Sequence, residues 1–211
     1  MKIGVIGATG RTGQEIVKEA ISRGHEVTAI VRSKDKAASL FGNQVTIIKQ
    51  DALTLTHDDL SEFDEVVDAF ASPQAYQHLD LASRLISAFR NDDTTNLFFI
   101  LGASSLKQAD GTMMLDTILK DNAGQPWIQT PVQQVHEYNY LQWIDNVNWT
   151  AISPQATFTP GPKTTYRIGK DEILLNKAGK SEVSTENLAS ALLDEIEQPK
   201  HLRQRFTVVD D

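Results

Sequence analysis

Short apolar runs alternate with helix-periodic segments through the first half of the chain. Residues 27–31 (VTAIV) are almost continuously apolar, as is typical of a strand covered on both faces. Residues 14–23 instead place their apolar side chains on one helical face and are followed by Gly24. The alternation predicts an α/β fold with a doubly wound parallel sheet and right-handed crossovers. The strands predicted in this half are residues 3–6, 27–31, 45–48, 66–70 and 97–101, with a further helix at 75–90.

The second half of the chain has a weaker pattern. Residues 106–130 lack clear periodicity and are predicted to be a loop with room for one short helix. Residues 166–168 and 173–175, separated by Gly169-Lys170-Asp171, are predicted to form a hairpin. The other elements predicted here are helices at 132–144 and 185–197 and strands at 149–153 and 205–209.

Three glycines follow the first strand at intervals of three residues. Gly7 permits a tight turn out of a buried strand, Gly10 lets the backbone approach a pyrophosphate, and Gly13 lets the next helix pack closely. The N-terminus of that helix offers free N–H groups and a partial positive charge to phosphates. A strand, a glycine turn and a helix in this order predict a dinucleotide site. The residues assigned to it are Gly7, Thr9, Gly10, Arg11, Thr12 and Gly13.

The residues after the second strand indicate which dinucleotide binds. Sites that prefer NAD usually place Asp or Glu there, about 20 residues past the glycine turn, to bond the ribose hydroxyls. This chain has Val31-Arg32-Ser33-Lys34 instead, and Arg11 is expected to reach the same region. Because a guanidinium suits a 2′-phosphate, we favour NADP(H) over NAD(H), with Arg32 as the phosphate ligand. The alternative is that Arg32 and Lys34 only solvate a surface turn.

Other candidate residues follow the ends of the predicted strands, where ligands bind doubly wound sheets. Asp51 is expected to accept a bond from the adenine amino group, or else to cap a turn. Ala71 and Ser72 are expected along the nicotinamide ribose, and Gly102 on the same edge. Ser104 is a candidate to orient the substrate or the nicotinamide, with a turn or helix cap as its alternative role.

The helix after the fifth strand lacks a common catalytic pair. Many short-chain reductases use Tyr-x-x-x-Lys there, since the Lys lowers the Tyr pKa and the Tyr protonates a developing alkoxide. Here Tyr138 is followed by Gln142, and the matching Tyr166 and Lys170 fall in the predicted hairpin. An oxidised flavin can take its proton from solvent, so the missing Lys favours a conjugated acceptor or no catalysis. Tyr138 remains a candidate donor, with an ordinary helix-face position as the alternative.

Composition excludes several other classes of function. The net charge of −8 argues against nucleic acid or an anionic membrane as partner. The absence of cysteine removes disulfides, thiol nucleophiles and zinc–thiolate sites, and no His-x-x-x-His pair predicts a metal site. No apolar stretch reaches the length of about 18 residues that a membrane helix needs, and the chain enters its first strand without a signal peptide. We therefore expect a cytoplasmic protein, of an oligomeric state that the sequence leaves open.

Four segments carry a family resemblance: residues 7–13 (GATGRTG), 149–154 (WTAISP), 158–162 (FTPGP) and 184–207. With them the chain resembles the atypical short-chain dehydrogenase/reductases. More narrowly, it is similar to the NADH–flavin reductases, the relatives of biliverdin IXβ reductase and the NmrA-like proteins. The resemblance implies a single NAD(P)-binding Rossmann domain over residues 1–211. It also implies that residues 155–183 form a small substrate-side lobe over the nicotinamide, with a flavin or bilin-like acceptor above the ring.

The resulting hypothesis is an NAD(P)H-dependent reductase of a small conjugated acceptor such as FMN, FAD or riboflavin. Trp127, Phe158 and Pro160 are candidates for the apolar cover of the site, or else for packing within the lobe. The alternative is an NmrA-like regulatory protein that senses NADP(H) without turnover. A sugar-nucleotide epimerase is disfavoured, because the Tyr–Lys pair is missing and the lobe is short. Arg32, which suits the 2′-phosphate of NADP(H), is unexpected in a family that is named for NADH.

Overall fold

The computed structural model describes all residues 1–211 and contains one eight-stranded sheet and one two-stranded sheet. The strands are β1 (Lys2–Ile6), β2 (Glu26–Val31), β3 (Thr46–Lys49), β4 (Glu65–Asp68), β5 (Asn96–Ile100), β6 (Trp149–Ser153), β7 (Thr157–Thr159), β8 (Tyr166–Gly169), β9 (Glu182–Ser184) and β10 (Gln204–Asp210). The helices are α1 (Arg11–Ser22), α2 (Lys34–Phe41), α3 (His57–Leu60), α4 (Gln77–Ala88), α5 (Met114–Asp121), α6 (Gln129–Leu141) and α7 (Thr185–Glu197). No helix has the length and hydrophobicity that crossing a membrane requires.

The large sheet has the order β3-β2-β1-β4-β5-β6-β10-β8, and every neighbouring pair is parallel except β10 with β8. Strands such as β4 and β6 are buried along their whole length, as strands covered on both faces are. One core packs α1 and α7 against the sheet, and a second core packs α4 and α6 on the other face. The predicted doubly wound Rossmann architecture is therefore confirmed.

The predicted hairpin between residues 166–168 and 173–175 is wrong. β8 instead pairs antiparallel with β10, so that Tyr166 lies opposite Asp210 at the edge of the large sheet. Residues 173–175 belong to no strand. β7 and β9 form the separate two-stranded parallel sheet, in which Phe158 is paired with Val183.

Two helices lie where the sequence pattern was weak. α2 begins after Ser33, whose hydroxyl accepts a hydrogen bond from the Lys36 N–H at 3.3 Å. α5 is the short helix for which the 106–130 segment left room, and it buries none of its residues. Two of its apolar side chains, Met114 and Ile118, line the site described below.

Candidate active site

The turn between β1 and α1 lies where the strand order reverses, since β1 has β2 on one side and β4 on the other. A crevice opens at such a point beyond the carboxyl ends of the strands. The Gly7 N–H donates to the Ile30 carbonyl at 3.1 Å, and the Gly10 N–H donates to the Gly7 carbonyl at 2.8 Å. These bonds hold the turn against β2 and direct the start of α1 toward the crevice.

The glycine turn has the close packing that a dinucleotide site requires. Gly7 has a φ of +73°, and a Cβ there would lie 2.7 Å from the Ala69 carbonyl oxygen. A Cβ on Gly13 would lie 2.9 Å from the Ala8 Cα and would also collide with the Gly7 carbonyl. Gly10 caps α1 without a side chain, and the first turn of the helix contains no acidic residue. The uncapped N–H groups therefore fit a pyrophosphate.

A small cavity of about 260 Å³ lies between the glycine turn and the end of β2. Arg32 and Lys36 both line it, together with Ser33 and Gln50, and its lining contains no Asp or Glu. Lys34 does not line it. Ribose recognition by a carboxylate, the usual device of NAD sites, is therefore not available here.

A larger cavity of about 670 Å³ continues from the first along the end of β4. The residues that line both cavities are Gly10, Ala69, Phe70 and Ala71. Trp127 and Phe158 contribute aromatic rings to the wall of the larger cavity, whereas Pro160 does not line it. Trp127 is half exposed at 51%, so a broad apolar ring is open to an incoming molecule. The two cavities together form a continuous groove, which has room for one extended ligand and for a second ligand with a flat ring system.

Four of the polar or small residues predicted on the sheet edge line the larger cavity: Ala71, Ser72, Gly102 and Ser104. Ser104 is buried, and its hydroxyl donates to the Pro131 carbonyl at 3.0 Å, which ties the end of β5 to α6. The Ser72 hydroxyl donates to Gln77 Oε1 at 2.6 Å. Gly102 lies directly under the Gln134 amide, with which a Cβ would collide. Ser104 could donate to a substrate only by giving up its bond to α6.

Tyr138 does not line either cavity and belongs to a different polar cluster. Its hydroxyl donates to Asp171 Oδ1 at 3.1 Å, and the Arg205 guanidinium lies 4.0 Å from the centre of its ring. Burial raises the pKa of the Tyr138 hydroxyl. Arg205 is itself buried and paired with Asp171, and it donates to the Ser105 hydroxyl. The cluster fastens the 171 loop to β10, and it holds the hydroxyl of the predicted donor Tyr138 away from the cavity.

Two further expectations about side-chain position are settled by geometry. Arg11 does not reach the Arg32 end of the site: it lines the larger cavity, with its guanidinium carbon 5.2 Å from the centre of the Phe158 ring. Asp51 lines neither cavity, and its Oδ1 accepts a hydrogen bond from the Leu53 N–H at 3.0 Å. The expected reach of Arg11 to the 2′-phosphate region is therefore wrong, and Asp51 has the turn-capping position.

Two buried carboxyl groups lie beside the larger cavity. Asp68 ends β4 immediately before the lining residue Ala69, and Glu137 lies on α6 one turn beyond Gln134. They are 7% and 3% exposed, and Glu137 Oε2 has no hydrogen-bond partner. Burial raises the pKa of Asp68 to about 7. Burial and the nearby charge of Asp68 raise the pKa of Glu137 well above its usual range, which favours its protonated form.

The free energy of unfolding is expected to fall as the pH rises from about 4 to 7. The unfolded chain ionises both carboxyls near pH 4, whereas in the folded protein the pKa of Asp68 is about 7 and that of Glu137 is raised well above its usual range. The stability present below the unfolded pKa is therefore lost as the pH rises through the folded pKa, by about 1.4 kcal/mol for each unit of difference. Glu137→Gln should flatten this decline in denaturant unfolding curves. Glu62→Gln, at an exposed side chain, should keep the wild-type slope, and an unflattened slope in Glu137→Gln would refute the assignment.

The sequence interpretation missed several residues of the larger cavity. Met114 and Ile118 lie four residues apart on α5 and form part of its wall, and Gln134 on α6 covers Gly102. The spacing of Met114 and Ile118, four residues apart, is typical of one helix face and could have identified them, although they lie in a segment predicted mainly as loop. Gln134 lay inside a predicted helix, and nothing in the pattern marked it as part of the site.

Comparisons with known proteins agree with this geometry. A family model described as NAD(P)H-binding matches residues 7–199. The uncharacterized protein YwnB of Bacillus subtilis (strain 168) is 41% identical over 217 residues, which cover 100% of this chain and 99% of YwnB.

Solved structures that match the full chain include two with more than 30% sequence identity to it. A protein from Lactobacillus casei is 44% identical with a TM-score of 0.94, and the match covers 100% of this chain and 99% of that one. A second, from Streptococcus pneumoniae TIGR4 and named "a putative NADH-flavin reductase", is 33% identical with a TM-score of 0.88 over 100% of both chains.

Proposed function

Because the chain belongs to the NAD(P)H-binding family, with an NAD(P)-binding Rossmann fold, we propose that it is an NADPH-dependent reductase of a flavin or a similar conjugated small molecule. The observation that carries the proposal is the continuity of the two cavities. One is a cationic cavity at the end of β2, and the other is a larger, aromatic-walled cavity on the far side of the glycine turn. A dinucleotide that lies along the groove has room for an acceptor ring beside its nicotinamide.

The residues of the glycine turn hold the cofactor in this proposal. The N–H groups at the start of α1 bind the pyrophosphate, and Arg32 with Lys36 binds a 2′-phosphate. Ala71, Ser72 and Gly102 lie along the nicotinamide end. When bound, the reduced nicotinamide supplies a hydride, that is, two electrons and one proton, and the acceptor takes its second proton from solvent.

The protein contributes position and exclusion of water more than acid–base chemistry. Trp127 and Phe158 give the acceptor flat apolar surfaces, and Met114 and Ile118 close the wall from α5. The hydroxyls of Ser104 and Tyr138 are both engaged elsewhere, so neither stands ready to protonate an alkoxide. This favours an acceptor that can spread added charge over a ring system, for which orientation alone lowers the barrier. Residues 155–183 act as the substrate-side lobe, through Gln155, Ala156 and Phe158.

The test is NADPH oxidation, followed at the near-ultraviolet absorbance band, with FMN, FAD, riboflavin, biliverdin and a quinone offered in turn. We expect saturable oxidation with at least one acceptor, and NADH to be the poorer donor. A Gly7→Ala preparation, purified in parallel, controls for contaminating reductases and should be inactive. Tight NADPH binding without turnover on any acceptor would overturn the proposal and favour a dinucleotide-sensing regulatory protein. The cytoplasmic location expected from the sequence stays a prediction.

A further inference from the structure

Arg11 is the one permanently charged side chain that lines the larger cavity. The lining contains no Asp, Glu or Lys, although the chain as a whole carries a net charge of −8. His78 also lines the cavity, but burial lowers its pKa and so disfavours the charged form of its ring. Gln134, Gln155 and the hydroxyl groups supply the remaining polar surface. The Arg11 guanidinium therefore provides the only fixed charge in the lining of this cavity, and no carboxylate of the lining pairs with it.

The position of Arg11 leaves its hydrogen-bonding edge free. Three other arginines of the chain form ion pairs: Arg23 with Glu19, Arg167 with Asp211 and Arg205 with Asp171. Arg11 forms no ion pair and no side-chain hydrogen bond, and its contact is with the Phe158 ring at 5.2 Å. A guanidinium beside an aromatic ring keeps its N–H groups available in a fixed fork, which suits a phosphate or a carboxylate.

We propose that Arg11 binds an anionic group of the acceptor, so that the substrates are conjugated molecules that carry a phosphate or a carboxylate. This inference rests on the proposed function, because it names the class of acceptor at the same site. The 2′-phosphate is not a candidate for this role, since the small cavity with Arg32 and Lys36 lies at the other end of the glycine turn. The apolar rings of the cavity hold the conjugated part of the acceptor, and Arg11 at the start of α1 selects its charge.

Two pairs of probes separate charge from ring structure. FMN and riboflavin share one ring system and differ by a phosphate, while biliverdin and its dimethyl ester differ by two carboxylates. Binding of each is measured on protein saturated with NADP⁺, by flavin fluorescence or by bilin absorbance, in parallel with kcat/KM for NADPH oxidation. The variants are Arg11→Gln and, as the matched control, Lys18→Gln, which removes an exposed cation from the same helix α1.

We expect wild type to bind the anionic member of at least one pair about tenfold or more tightly than its neutral analogue. Arg11→Gln should abolish that preference, with less than about a threefold change for the neutral analogue, and Lys18→Gln should keep it. The pair that shows the preference identifies phosphate or carboxylate as the group bound. No preference in wild type, no binding of any probe, or a preference that survives Arg11→Gln would overturn the inference.

The same measurements distinguish the inference from the proposed function. An equal loss of NADPH and FMN binding in Arg11→Gln would assign Arg11 to the dinucleotide pyrophosphate and overturn the inference alone. Turnover that does not depend on acceptor charge would leave the reductase standing and remove the role of Arg11. Arg11-dependent binding of anionic probes without any turnover would support the anion site and overturn the reductase.

Discussion

Replacing Gly7 with alanine is expected to weaken NADPH binding by about 100-fold or more. Gly7 has a φ of +73°, where an alanine costs about 1 kcal/mol, and its Cβ would lie 2.7 Å from the backbone carbonyl oxygen of Ala69. Neither the turn nor the end of β4 can move without breaking a hydrogen bond. The Gly7 N–H donates to the Ile30 carbonyl, and the Ala69 N–H donates to the Ile6 carbonyl. The turn must move, and the N–H groups that it presents to the pyrophosphate move with it. Fluorescence titration with NADPH measures the loss.

Gly24→Ala is the matched control for this substitution. Gly24 has a similar φ of +81°, but a Cβ there would meet nothing within 4 Å. It should cost about 1 kcal/mol of stability, a fall of roughly 2–4 °C in the unfolding midpoint for a chain of this size, and leave NADPH binding unchanged. A Gly7→Ala variant that binds NADPH within threefold of wild type would show that close packing of the turn is not needed. Circular dichroism distinguishes a displaced turn from a chain that fails to fold.

The first half of the fold was predictable because its signals are local. The apolar run before Gly7, the glycine spacing and the one-sided helix after it are all read within about 20 residues, and they specify β1, the turn and α1 together. Each later strand predicted in this half also contains a short, mainly apolar run of its own. Right-handed crossovers then leave little freedom in the strand order, which is why the sheet and its ligand-binding edge followed from the sequence.

The lobe was not predictable in the same way, because its pairings are distant along the chain. Gly169-Lys170-Asp171 has the composition of a hairpin turn, yet β8 finds its partner in β10, almost forty residues further along. Asp171 instead pairs with the buried Arg205, a contact that no local pattern announces. The bounds of α5 could not be predicted, because none of its residues is buried in the core and only Met114 and Ile118 line the cavity.

Arg11 and Arg32 show the same limit at the level of one side chain. Both follow from the sequence as cations at a phosphate site, but spacing alone does not say which way each side chain points. The structure directs Arg32 to the small cavity at the end of β2 and Arg11 to the larger cavity beside Phe158. The two cations thus line opposite ends of the groove, and under the roles proposed above a variant of each should affect a different ligand.

Arg32→Ala is expected to weaken NADPH binding about ten- to a hundredfold and NADH binding by less than about threefold. A charge-assisted hydrogen bond to a phosphate contributes roughly 1.5–3 kcal/mol, and only NADPH carries the 2′-phosphate. The small cavity favours that group, because Arg32 and Lys36 line it without any acidic residue. Calorimetric titration of both dinucleotides, at one fixed ionic strength, gives the two ratios directly.

Lys34→Ala provides the control, because Lys34 lies two residues further along and does not line the small cavity. If Arg32 acts through a bound phosphate, Lys34→Ala should leave both dinucleotides within about twofold of wild type, and raised salt should narrow the NADPH advantage. Equal losses for NADPH and NADH in Arg32→Ala would show that Arg32 only supports the turn after β2. If Lys34→Ala and Arg32→Ala instead weaken dinucleotide binding equally, the local cations attract any dinucleotide through their charge alone. In that case neither residue makes a specific contact with the 2′-phosphate.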